Sequence, residues 1–151
     1  VWHKRRTDFR KFWRQVYNSG IARINLYKKY PESLKLVHLL PMVFTVGVIG
    51  TLLLLFFGFL PYMLGTVHVF PILGYAMEAL GCIGLFFILL YTVALFIDSA
   101  KVNHSVKIGL LSIRAAFTQL MGYGCGFLSA WWKRCVLGQN EFSAYDKTFY
   151  K

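Results

Sequence analysis

The sequence is short of acid. Six Asp and Glu stand against seventeen Lys and Arg in 151 residues, for a net charge of +11. Each of the six is isolated, so paired carboxylates for general acid–base work are missing and no catalytic base can be named. Cysteine is scarce as well. Cys82, Cys125 and Cys135 are odd in number, two lie in apolar stretches, and no two have metal-ligand spacing. That argues against a disulfide framework and a zinc site and leaves small apolar fillers. Internal repeats and low-complexity tracts are absent. So is any charge between Leu39 and Leu60, and a soluble domain of this length rarely needs an uncharged run of that size.

Apolar residues make up 57% of the chain. Three segments, 39–60, 72–97 and 108–132, are long enough for a hydrocarbon layer of about 30 Å, which takes about 20 helical residues. Continuous apolar runs do not fit the alternating pattern of a closed barrel. The fold class expected is all-α: a polytopic helical membrane protein with an N-terminal amphipathic interfacial helix. The basic balance alone would admit nucleic acid. The cations, however, sit beside the spans rather than on a soluble face, and no nucleic-acid partner is expected.

Ten of the seventeen cations fall within the first thirty-five residues, directly before the first span. Such a cluster marks the cytoplasmic side and the anionic headgroup zone. Thr7 or Asp8 can cap a helix there. Phe9, Phe12, Trp13, Val16, Tyr17, Ile21, Ile24 and Tyr27 then recur at spacings of three and four, with cations and amides off the stripe. This is the pattern of a helix lying in the membrane plane. Ser19-Gly20 is a weak point that divides it in two, and Pro31 ends it or begins the next helix. Glu32 onward feeds the first span, with a kink expected at Pro41. Pro61 and Pro71 bracket a loop without Lys or Arg, which reads as outside. Residues 98–107 read as a polar cytoplasmic loop. The third segment admits two layouts. A clean crossing leaves twelve Lys and Arg inside and four outside; a turn back near Gly122–Gly126 leaves sixteen inside and none outside. Charge favours the turn, whereas length and the lack of proline favour the crossing. The divisions expected are 1–6, 7–35, 36–132 and 133–151.

Glu78 and Arg114 are the charges within the second and third segments. Each lies about 9 Å deep from an opposite face, which leaves roughly 12 Å between them in a ~30 Å core. Arg114 is therefore expected to snorkel to headgroups and Glu78 to be protonated or bonded to a neighbouring helix. Gly122 and Gly126 form a small-xxx-small pattern suited to close helix packing, with a ligand-facing turn as the other reading. His38, His68 and His104 read as interfacial polar residues, and Trp131-Trp132 as an aromatic belt. On the N-terminal strip, Gln15, Asn18 and Arg23 fall at offsets of three and eight on one broad side of a helix. A guanidinium fork with amide side chains suits a diphosphate. The alternative is a solvated face drawn to anionic lipid.

The string His3-Lys-Arg-Arg, then Phe12-Trp-Arg-Gln-Val-Tyr-Asn-Ser-Gly-Ile-Ala-Arg23, then Tyr30-Pro31 before apolar spans resembles the region behind the catalytic domain of bacterial family 2 membrane glycosyltransferases. The subgroup is the one that makes exopolysaccharide and other surface glycans. Residues 122–134, Gly-Tyr-Gly-Cys-Gly-Phe-Leu-Ser-Ala-Trp-Trp-Lys-Arg, are similar to that subgroup's last apolar segment. The resemblance implies a missing N-terminal GT-A domain, of which residues 1–6 would be the end. It implies a nucleotide-sugar donor, a polyprenyl-phosphate-linked acceptor held among membrane lipid, and a divalent metal, Mn or Mg. It implies the bacterial inner membrane, with the N-terminal strip cytoplasmic. His3 stands where a metal-ligating histidine would be, and Arg5, Arg6, Arg14, Gln15, Asn18 and Arg23 where substrate is bound. The processive relatives' Gln-x-x-Arg-Trp is not matched: Gln15 is followed by Asn18 and no Trp. That departure fits addition of one sugar better than chain synthesis. The Asp-x-Asp and Glu-Asp motifs are absent, so catalytic residues are expected outside this chain. A non-catalytic, lipid-binding anchor or assembly module is the rival reading. A transporter half built around Glu78 and Arg114 is disfavoured, because no matching second half follows.

Overall fold

A computed structural model of the chain describes residues 8–64 and 71–140, and every regular element among them is helical. Four α-helices follow one another: α1 (Phe9–Lys29), α2 (Leu40–Met63), α3 (Pro71–Val102) and α4 (Val106–Trp131). A π-helical turn, Trp132–Val136, extends α4. The described residues fall into two compact units, one of 8–45 and 114–140, the other of 46–64 and 71–113.

In the first unit Asp8 starts α1. Its carboxylate accepts from the Arg10 N–H at 2.9 Å, meeting one of the donors a helix start leaves open. The helix does not divide at Ser19-Gly20. Gly20 is buried against α4, where a Cβ would collide with the Tyr123 carbonyl oxygen and lie 2.8 Å from the Phe127 nitrogen. The residue that weakens a helix in isolation is the one that lets two backbones meet here. On α4, a Cβ at Gly126 would collide with the Tyr17 carbonyl oxygen, and one at Gly122 would lie 2.6 Å from Val16 Cγ2. Close packing is thus the role of the Gly122/Gly126 pair, and α1 is its partner. Ile21, Ile24, Phe127 and Ala130 form the buried core beside these contacts, flanked by Tyr17, Leu34, Leu39, Met42, Tyr123 and Cys135. The middle of the apolar stripe expected to lie in lipid is therefore buried against protein.

Tyr30 is extended and caps α1 through its N–H to the Leu26 carbonyl at 2.7 Å. Two 3-10 turns, Pro31–Ser33 and Leu36–His38, lead to α2 in place of the helix expected from Glu32. Pro41 sits in the first turn of α2, where a missing N–H costs nothing, so it starts the helix and does not kink it. Its carbonyl accepts from the buried Thr45 hydroxyl at 2.9 Å, and that hydroxyl also reaches the Leu120 carbonyl at 3.2 Å. The Arg114 guanidinium lies 4.1 Å from the centroid of the Phe9 ring. Its charge meets an aromatic face, where snorkelling alone was expected.

In the second unit α2 and α3 pack through small residues. A Cβ at Gly58 would lie 2.8 Å from the Glu78 nitrogen, and one at Gly84 would collide with the Thr51 hydroxyl. Tyr62 lies against Tyr75, with ring centroids 6.0 Å apart, and within electrostatic range of Glu78. Large apolar side chains such as Leu52, Phe56, Ile83, Phe86 and Leu89 stay exposed. Pro61 is inside α2, which ends at Met63, so it does not open the following loop. Likewise α3 continues through Asp98 and Lys101 to Val102. The polar loop expected over 98–107 shrinks to 103–105, with His104 in the left-handed region (φ 48°) and the Ser105 hydroxyl accepting from Ile108 N–H at 3.4 Å.

Among the described residues two helical stretches, Leu36–Met63 and Pro71–Val102, are long and apolar enough to cross a membrane. The segment expected as a third, 108–132, is not among them. Arg114, Gln119 and a run of glycines dilute its hydropathy, and its glycines pack on α1 and on the start of α2. α4 is also unbroken through Gly122–Gly126, which removes the turn-back layout.

Candidate functional site

The strip read as substrate-binding divides on α1. Arg14 and Gln15 are exposed. Asn18 is half-buried, and its Oδ1 is enclosed without a hydrogen-bond donor. Arg23 is half-buried and within electrostatic range of His38, whose Nδ1 accepts from the Lys35 N–H at 3.1 Å. On a continuous helix Gln15 and Arg23 are about 12 Å apart along the axis, and Arg14 and Arg23 point in about opposite directions. The four side chains are therefore spread around one helix and make no closed grip. His3, Arg5 and Arg6 lie outside the described residues. Among the described residues no group of three or more His, Cys, Asp or Glu is placed to hold a metal ion, and none of them is assigned to one.

Among the described residues the first unit includes two concavities that none of the four strip residues lines. One, of about 410 Å³, is apolar and bounded by Ile24, Tyr27, Leu34, Met42, Phe127 and Trp131, among others. The other, of about 450 Å³, is lined by Ala22, Asn25, Leu26, Lys28, Lys29 and Arg134. The two lie on different sides of α1, since successive residues are rotated by about 100°. In the second concavity Arg134 donates through Nη1 to Asn25 Oδ1, a contact spanning 109 positions of sequence. Lys28 and Lys29 are exposed in the last turn of α1, and Lys29 Nζ lies 5.5 Å from the Tyr30 ring centroid.

The wide turn that carries Arg134 is closed by Leu137 N–H to the Trp132 carbonyl at 3.0 Å. It is terminated by Gly138 at φ 65°, with Gln139 N–H reaching back to the Lys133 carbonyl at 3.0 Å. Sequence reasoning passed over this cleft. Its signals were the paired cations Lys28-Lys29 and Lys133-Arg134, each of which reads alone as a solvated or headgroup-facing pair.

Comparison of the chain with protein-family models, with curated proteins and with solved structures finds no match.

Proposed function

We propose that this chain is the membrane part of a glycosyltransferase that moves one sugar from a nucleotide-sugar to a lipid-linked acceptor. The reaction would take place at the cytoplasmic leaflet of a bacterial inner membrane. The reading rests on the resemblance of residues 3–31 and 122–134 to that class. The observation that carries it furthest is the seating of α1: its apolar stripe is held on α4 while Arg14 and Gln15 remain turned outward. A fixed helix bearing an outward guanidinium and amide is a platform on which a departing diphosphate can be held. The donor site and the catalytic carboxylates would belong to a GT-A domain outside this chain. The contribution of this part is positioning, because one reactant is confined to the membrane and the other to water.

The test uses the natural polypeptide that contains this chain, in isolated membranes, with transfer of labelled sugar into lipid as the readout. Arg14→Lys, which keeps the charge and loses the planar fork, and Gln15→Ala are each expected to lower transfer by about tenfold or more, as loss of a charge-stabilising hydrogen-bond donor does, at unchanged membrane content. A lipid anchor needs only charge, so full activity in both variants would remove the assignment and favour the anchor.

A further inference from the structure

The apolar concavity of about 410 Å³ lies where four pieces of chain meet. Ile24 and Tyr27 come from α1, Leu34 from the link between the two 3-10 turns, Met42 from the first turn of α2, and Phe127 and Trp131 from α4. Water finds no hydrogen-bond partners in such a space, and an empty one forfeits dispersion contacts. Met42 belongs to the stretch Leu36–Met63, which is long and apolar enough to cross a membrane, so hydrocarbon is the apolar matter nearest to hand. Trp131 is exposed and Tyr27 half-buried. Both have an apolar body and a polar tip, and such side chains collect where acyl chains meet headgroups. Cations stand beside the same walls. Arg23 precedes Tyr27 by four residues, on the same side of α1, and lies within electrostatic range of His38, the neighbour of Leu39. Lys35 follows Leu34 and is tied to His38 through its N–H. Arg23 and Lys35 thus flank the hollow from two different elements. An apolar hollow with cations beside it is complementary to an amphiphile with an anionic head.

We propose that this concavity binds one acyl chain of an anionic glycerophospholipid of the bilayer, with the phosphate of its head beside Arg23 and Lys35. Bound there, the lipid fills the space between α1, α2 and α4 and ties α1 to the membrane surface. The inference does not depend on the glycosyltransferase reading, because binding is measured with no sugar donor and no transfer.

The experiment uses the whole chain in nanodiscs of phosphatidylcholine, with a phosphatidylglycerol whose acyl chain ends in a diazirine as probe. Light links the chain end to what it touches, and peptide mass spectrometry locates the link. Links on Leu34, Met42 and Leu128 are expected, saturable and displaced by unlabelled phosphatidylglycerol. Leu34→Trp and Leu128→Trp fill the hollow from half-buried positions. Each is expected to cut those links by about tenfold, the equivalent of keeping about two methylene groups out of the space. Leu52→Trp, at an exposed position of the second unit, is expected to change them by less than about twofold. Arg23→Gln/Lys35→Gln is expected to lower the preference for phosphatidylglycerol over a phosphatidylcholine probe by about fivefold or more, since each cation near the surface favours anionic lipid. Wild-type links confined to exposed side chains such as Leu52 and Phe56 would overturn the proposal, whether residues 141–151 or a second copy of the chain fills the hollow. Unchanged links in both Trp variants of the hollow would also overturn it. Displacement by an isoprenyl phosphate but not by phosphatidylglycerol would overturn it too, moving the site to another lipid. Displacement in the wild-type chain decides the question independently of any variant's folding.

Discussion

At the scale of single residues the first unit depends on a small core. Ile24 is fully buried, and truncating it removes apolar contacts without letting the backbones around Gly20 close in further. Ile24→Ala is expected to cost about 2–5 kcal/mol, while Leu36→Ala, at 84% exposure, changes stability by less than about 0.5 kcal/mol. Thermal denaturation of the detergent-solubilised chain distinguishes the two. Much at this scale was legible in advance. Ile21 and Ile24 lie on the stripe that a 3.6-residue period picks out, and Asp8 was one of two caps expected. The Arg134–Asn25 bond was not legible, because a contact across 109 positions leaves no trace in local spacing. Arg23 beside His38 was hidden for the same reason. The strip of Gln15, Asn18 and Arg23 was read on one side of a helix, but burial sorts its members according to what α1 packs against.

At the scale of elements, α1 and α4 meet backbone to backbone. A side chain at Gly20 or Gly126 must push the two helices apart, since the nearest atoms are main-chain carbonyls that cannot rotate away. Gly20→Val and Gly126→Val are each expected to destabilise the chain by about 2 kcal/mol or more through overpacking. At Gly47 on α2 a methyl group would meet no atom within 4 Å, and Gly47→Ala is expected to be neutral or to stabilise by up to about 1 kcal/mol. The same denaturation assay compares all three, and equal effects would remove the packing argument. Sequence showed the small-xxx-small pattern of Gly122 and Gly126 but not its partner. It took Ser19-Gly20 as a break because helix propensity counts what glycine lacks and is blind to what sits opposite. It ended the second span at Ile97 on hydropathy, whereas backbone hydrogen bonding carries α3 through Asp98 and Lys101.

At the scale of the molecule, two helical stretches are long and apolar enough to cross a membrane and keep many large apolar side chains exposed. That much was plain from the uncharged runs. The third run was ambiguous because its apolar content serves helix packing: glycines and small residues score as hydrophobic or neutral whether lipid or another helix lies beside them. The proposed role of α1 requires that it lie at the cytoplasmic face, and an impermeant thiol reagent reads the side directly. Gln15 is exposed, so Gln15→Cys, with Cys82, Cys125 and Cys135 changed to Ala, reports the side on which the platform lies. Labelling of inside-out vesicles, with none in right-side-out vesicles, is the result expected. Labelling from the exterior would contradict the account, because a nucleotide-sugar made in the cytoplasm would then never reach α1.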